Sequence, residues 1–232
     1  MADGAASVCV CVLFYGAEDK HFKLAQRVLN EPMRELAARN VSFRFGCNAV
    51  GPDTTQFLVQ QIADYFHSAT IFHSAENLMK YPMMRRMLYE PAVREPITMW
   101  FDHDSYLEPT DGAHNWLDRV ITHVNGCNLV GSVERAKLPD EQLRWIEQQP
   151  WFNPEYEKTY LPYVIGGWWA IKTELLYQFN FPPAGFQQKY GERVLGAAFK
   201  HQDIRFCHFR EGVKINVNDS GVETAAPRTM TA

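Results

Sequence analysis

The run Ser7 to Tyr15 (SVCVCVLFY) constrains this chain more than any other stretch. It is β-branched, almost wholly apolar, and stops at Gly16. A strand with one wet face alternates; a run apolar at nearly every position is covered on both faces, as inside a parallel sheet. Ile97 to Phe101 (ITMWF) is a second such run, ending in Asp102-His103-Asp104.

Helical and extended patterns follow each other along the chain. Phe22, Ala25, Leu29, Met33 and Leu36 share one helical face, which Pro32 is expected to bend or divide. Val41, Phe43 and Phe45 alternate with polar residues and predict a strand ending near Gly46 and Asn48. Asp53 and Thr54 can cap a helix carrying Phe57, Leu58, Ile62 and Tyr65. Ala69 to Phe72 is a short third strand, and Pro82 suits the first turn of a helix through Met83, Met84 and Met87. Trp116 to Val124, Asp140 to Gln148 and Glu192 to Phe199 read as helices. Asn128 to Val133, Tyr163 to Ile171 and Ile204 to Phe209 read as extended. Such alternation predicts the α/β class, with a central, mostly parallel sheet and right-handed crossovers. Ligands of such sheets bind at the carboxyl ends of strands, which is where Asp102 and Asp104 fall.

At 232 residues the chain fits one domain, expected over residues 1–218, followed by a polar, disordered tail over 219–232. The net charge of −4 excludes a global basic field of the kind that nonspecific phosphate binders use. Cys9, Cys11, Cys47, Cys127 and Cys207 lack the C-x-x-C spacing of zinc sites and are expected to be buried free thiols of a reducing compartment. Met1 to Ala6 has no signal-peptide character, and the longest apolar run is too short to span a bilayer. The expectation is a cytoplasmic protein without a membrane partner.

Asp102 and Asp104, two apart at a strand end, can both reach one hard cation that keeps positions free for a diphosphate. A solvated turn is the plainer account of a D-x-D, but this one follows a buried strand directly. Lys80, Arg85 and Arg86 can meet phosphate oxygens or form an ordinary charged helix surface. No Gly-rich phosphate loop, nucleophile elbow or Cys/His pairing is present.

The run SAENLMK (Ser74 to Lys80), the helix with Arg85 and Arg86, and then ITMWFDHDSYLEP together resemble the large inverting family of GT-A glycosyltransferases, the family 2-like group. The resemblance covers residues 7 to 216 and implies a GT-A, Rossmann-like single domain. It also implies a nucleotide-sugar donor, a UDP-sugar in the first place, and Mn²⁺ or Mg²⁺ on Asp102 and Asp104. Tyr15 and Gly16 would lie near the base, as would Asn48, which stands where the family often has an acid. The segment VIGGWWAI (Val164 to Ile171) resembles the family's glycine-containing stretch beside donor and acceptor. Gly167 and Trp168 are then expected in the site, while Trp169 fits the site and a buried core strand equally. Glu192, three residues before Leu195, matches the place of the catalytic base. His208 matches a late histidine that serves as third metal ligand in many members, while His103 and His201 are bystanders.

The acceptor and the oligomeric state are not readable from residue types. Compact members of this kind resemble bacteriophage enzymes that glycosylate hydroxymethylated pyrimidines in DNA, which requires a flipped base. The acidic charge counts against DNA, and a saccharide or protein hydroxyl stands beside it. Rival readings are a nucleotidyltransferase and a non-catalytic nucleotide-sugar-binding protein of the same fold; slow donor hydrolysis separates the latter from a live transferase.

Overall fold

The computed structural model describes residues 7–155 and 160–223. In chain order the elements are β1 (Val8–Tyr15), α1 (Asp19–Val28), α2 (Glu31–Ala37), β2 (Val41–Asn48), α3 (Pro52–Asp64), β3 (Thr70–Ser74), α4 (Lys80–Tyr89) and β4 (Ile97–Asp102). Then come β5 (Tyr106–Leu107), α5 (Ala113–Cys127), β6 (Leu129–Lys137), α6 (Asp140–Ile146), β7 (Tyr160–Lys172), α7 (Thr173–Gln178), α8 (Gly191–His201), β8 (Cys207–His208) and β9 (Val213–Lys214).

A seven-stranded sheet runs in the order β3-β2-β1-β4-β7-β6-β8. The pairings from β3 to β4 are parallel. β7 is antiparallel to both β4 and β6, while β6 and β8 are parallel, so β7 alone is reversed. β5 and β9 form a separate two-stranded ribbon.

The apolar run of β1 is explained by its two covered faces. Val8, Val10, Val12 and Phe14 pack with residues of α1, α2, α3 and α5. Cys9, Cys11 and Leu13 pack on the other side with α4, α7 and α8. A third cluster joins α6 to α8 through Ile146, Val194 and Ala198. Pro32 does divide the first helical stretch, since it sits in the opening turn of α2, where its missing N–H costs nothing.

Two expectations are corrected. Cys127 and Cys207 form a disulfide that ties the end of α5 to β8, leaving only Cys9, Cys11 and Cys47 as buried free thiols. The extended stretch expected over Ile204 to Phe209 is regular only at Cys207–His208, because an edge strand has one neighbour to hold it. Residues 219–223 are held in place: Arg27 donates to the carbonyls of Asn218 and Asp219, and Arg210 pairs with Glu223. Residues 224–232 lie outside the described chain. Among the described residues no helix is long and apolar enough to cross a membrane.

Candidate active site

β1 and β4 end side by side, with Leu13 paired to Asp102, so the loops after both strands open at one edge. On β4, Ile97, Met99 and Phe101 face the α5 side and Trp100 the α4 side. Alternation therefore turns Asp102 toward α4 and α8. There Lys80, at the start of α4, places its ammonium 2.7 Å from Asp102 Oδ2, 2.8 Å from the Gly166 carbonyl and 3.0 Å from Glu192 Oε1. Asp102 Oδ1 accepts from Trp100 Nε1 at 2.8 Å. Glu192 Oε2 accepts a short hydrogen bond from the Tyr81 hydroxyl, which itself accepts from the Gly191 N–H at 2.8 Å. Gly166 is required here: an added Cβ would stand 2.6 Å from Glu192 Oε1 and 2.8 Å from Lys80 Nζ.

Asp104 lies two residues beyond, in a turn clamped by the C-terminal segment. Its carbonyl accepts from the Val217 N–H at 2.6 Å, and Ser105 Oγ accepts from the Asn216 N–H at 3.2 Å. Gly167 leaves room for this clamp, since a Cβ would meet Ser105 Oγ at 2.6 Å. Burial, and then the neighbouring Asp102, raise the Asp104 pKa to about 6. His103 is held down at about 4 by burial and then by His21, so its neutral Nδ1 accepts from the Tyr15 N–H at 2.9 Å.

A cavity of about 160 Å³ is lined by Tyr15, Asn48, Lys80, Asp102, His103, Asp104 and Gln188. A second depression of about 290 Å³ shares His103 and Asp104 with it. Together they border both aspartates. Asn48 organises the far wall: its Oδ1 accepts from the Leu78 N–H at 2.8 Å, and Asn77 Nδ2 donates to the Tyr15 hydroxyl at 3.3 Å. Gly16 has φ +82° and packs on His21, where a side chain would collide.

The structure thus brings Tyr15, Gly16, Asn48, Lys80, Asp102, Asp104, Gly167 and Glu192 to one edge. Four expected residues are elsewhere. Trp168 is fully buried against Phe101, Trp116 and Phe209, because β7 is an interior strand and both its faces are covered. Arg85 bonds to the Asn180 side chain and the Pro182 carbonyl, and Arg86 reaches His73 and Glu90, so both serve the scaffold. His208 pairs with Gly131 on the outer strand, three inter-strand spacings from β4 or about 14 Å, and its Nδ1 accepts from the Val133 N–H. Conversely His103, read as a bystander, is part of the cavity wall, as is Gln188, and Tyr81 lies buried behind Glu192. Periodicity could have placed Tyr81 on the buried face of α4 with Met84 and Leu88, but not against an acid 111 residues away.

The donor set suits a hard divalent ion in part. Among the described residues no three His, Cys, Asp or Glu side chains gather as a metal cage. Asp104, however, is a carboxylate whose charge is disfavoured by burial and then by Asp102; Lys80 offsets this in part, and the one side chain among the described residues that donates to it is Ser105, whose Oγ is 3.3 Å away. That is the chemistry of an acid that gains from a cation shared with ligand phosphates.

A pH test follows from Asp104. A carboxyl whose folded pKa lies above its unfolded value costs stability when ionised, and that cost vanishes as pH falls through the folded value. In protein stripped of divalent ions, Asp104→Asn is expected to raise stability by about 1–2 kcal/mol at pH 7.5. That is less than the full shift implies, because the side chain borders an open cavity. The gain should shrink towards zero by pH 4. Urea melts of both proteins across this range read the difference; a gain that grows on acidification would refute the assignment.

No protein-family model matches the chain, and no curated protein matches it. Among solved structures it is similar to the mannosyltransferase PcManGT from Pyrobaculum calidifontis in complex with GDP-Man and Mn²⁺. The identity is 15% and the TM-score 0.53, over 88% of this chain and 54% of that one. It is also similar to the 4-diphosphocytidyl-2C-methyl-D-erythritol synthase of Anaerococcus prevotii, at 10% identity and TM-score 0.52 over 94% and 93% of the two chains. A third likeness, to S. aureus TarS 1-349, has 12% identity and TM-score 0.48 over 87% and 57%. The chain spans little more than half the length of the TarS and PcManGT chains. At these identities the likeness is one of fold: a Rossmann-like α/β domain of the GT-A type.

Proposed function

We propose that this chain transfers a sugar from a nucleotide-sugar donor, a UDP-sugar in the first place, to an acceptor hydroxyl with inversion at the anomeric carbon. The observation that supports this most is the convergence of Asp102, Asp104, Lys80 and Glu192 at the carboxyl end of β4. Asp102 and Asp104 would hold Mn²⁺ or Mg²⁺, which supplies Lewis-acid neutralisation of the departing diphosphate. Lys80 adds a fixed positive charge beside the same oxygens. Tyr15, Gly16 and Asn48 would carry the nucleoside end. Glu192 takes the proton of the acceptor hydroxyl as its oxygen bonds to the anomeric carbon and the carbon–diphosphate bond breaks. Lys80 and Tyr81 hold the two Glu192 oxygens and fix its direction. A hydroxymethylated pyrimidine in DNA, a saccharide and a protein hydroxyl are the acceptor classes in view.

The end-to-end likeness to the synthase favours one second reading, nucleotidyl transfer. A thermal-shift panel of nucleoside triphosphates and nucleotide sugars, with and without Mn²⁺, separates the two. A ligand at a hundred times its Kd stabilises by about 2.7 kcal/mol, a rise of about 5–10 °C for a domain of this size. The expected result is a Mn²⁺-dependent rise with one nucleotide-sugar family, absent in Asp104→Ala. A rise with triphosphates alone would move the chain to the second reading, and no rise with any nucleotide would end both.

A further inference from the structure

A groove of about 520 Å³ lies between α6 and the segment leading into α8, lined among others by Gln142, Arg144, Trp145, Phe186, Lys189 and Tyr190. Its volume falls within the roughly 300–1,000 Å³ range of ligand sites. We propose that it is the acceptor subsite and that its ligand is an oligosaccharide. The word acceptor rests on the transferase reading above; the saccharide ligand rests on the groove alone.

Three observations carry this. The first is the pairing of ring faces with planar polar groups. Trp145 and Phe186 meet at 5.3 Å between centroids with planes at 58°, and Tyr190, 38% exposed, is steadied by the Arg193 guanidinium at 5.1 Å. A sugar ring offers an apolar C–H face to such aromatics and hydroxyls to such amides and guanidinium groups. The second is Gln142. The residue is only 9% exposed on a groove-lining helix, and its Oε1 has no hydrogen-bond partner among the described residues. A buried amide oxygen left without a donor is unfavourable, and a turn of this side chain into the groove would give it a ligand hydroxyl as donor.

The third is position. Gln188 lines the carboxylate cavity and accepts from the Lys80 N–H at 3.1 Å, whereas Lys189 and Tyr190 line the groove and Glu192 follows directly on α8. The step from Gln188 to Tyr190 is at most about 7 Å, so one short segment separates the two spaces. A chain of sugars lying on the aromatics would therefore end one short segment away from the cavity that Lys80, Asp102 and Asp104 line. Charge argues against a nucleic acid here: Arg144 and Lys189 share the groove lining with Glu141, and the protein as a whole is acidic.

The test uses the whole chain on an array of neutral and charged oligosaccharides, with a duplex DNA containing hydroxymethylcytosine as a separate arm. The strongest binder is then titrated by tryptophan fluorescence. Gln142→Leu keeps the side-chain volume and removes the orphaned oxygen, so its Tm should be unchanged or raised while binding weakens at least tenfold. Trp145→Ala should weaken binding at least as much. Retention of binding in Gln142→Leu, no binding to any arrayed glycan, or binding of DNA instead would overturn the inference. The nucleotide thermal shift of the wild-type protein reports on the transferase reading separately. Nucleotide binding without glycan binding defeats the groove alone, and glycan binding without nucleotide binding defeats the transferase alone.

Discussion

Replacing Lys80 by methionine is expected to cost about 3–5 kcal/mol of stability at pH 7.5 and to abolish turnover. Its ammonium stands between Asp102 and Glu192 with its side chain only 11% exposed. Burial opposes that charge, but Asp102 and then Glu192 more than offset the burial, and the lysine pKa lies well above its ordinary value. Without Lys80 two buried carboxylates lose their counter-charge, which is far costlier than never having had the cluster. Burial already raises the Asp102 pKa, and Lys80 restrains it first, with a smaller part from the Trp100 hydrogen bond. In the variant the folded-state value of Asp102 rises further, so the deficit is greatest above it and lessens as Asp102 protonates on acidification. Denaturant melts at pH 7.5 and pH 5 measure this. A variant as stable as wild type at pH 7.5 would show that the ion pairs contribute nothing.

Glu192→Gln is the complementary case, expected to lower kcat by roughly 10²–10⁴ while the nucleotide-induced thermal shift persists. The amide retains an acceptor oxygen for Lys80 or Tyr81 but cannot take up a proton, so binding and proton removal separate. Donor consumption under saturating acceptor gives the number. Turnover within tenfold of wild type would mean that Glu192 is a structural partner of Lys80 and Tyr81 and that the base lies elsewhere.

How much of this was legible follows from the range over which each signal acts. β1 and β4 were readable because a strand covered on both faces records its burial in every residue, and Pro32 because its ring acts on its own helix. The Asp102/Asp104 pair could be placed because strand ends are local. Trp168 and Trp169 could not be separated from the site by composition: successive residues of β7 face opposite sides, and both sides turn out to be packed. Lys80 was readable as a cation near a donor loop but not as the bridge between acids 22 and 112 residues away. The Cys127–Cys207 pairing spans 80 residues, so neither cysteine carries a local mark of the other. His208 looked suitable by order along the chain and fails by strand order, which a linear sequence does not contain.

The reversal of β7 has a bearing on how this scaffold can diversify. Only residues 168–172 of β7 pair with β4, whereas 160–164 run on beside β6 alone and extend past the last residue of β4. The β6–β7 pair therefore reaches past the end of β4, backed by α8 through Leu161 and Val194, with α6 in the connection at its tip. Lengthening a connection there costs only about 0.6 kcal/mol per doubling, and no register among β1 to β4 is disturbed. Selection can thus remodel what the tip touches while the carboxylates stay fixed, and transplanting residues 138–160 between relatives of this fold should move ligand preference as a cassette.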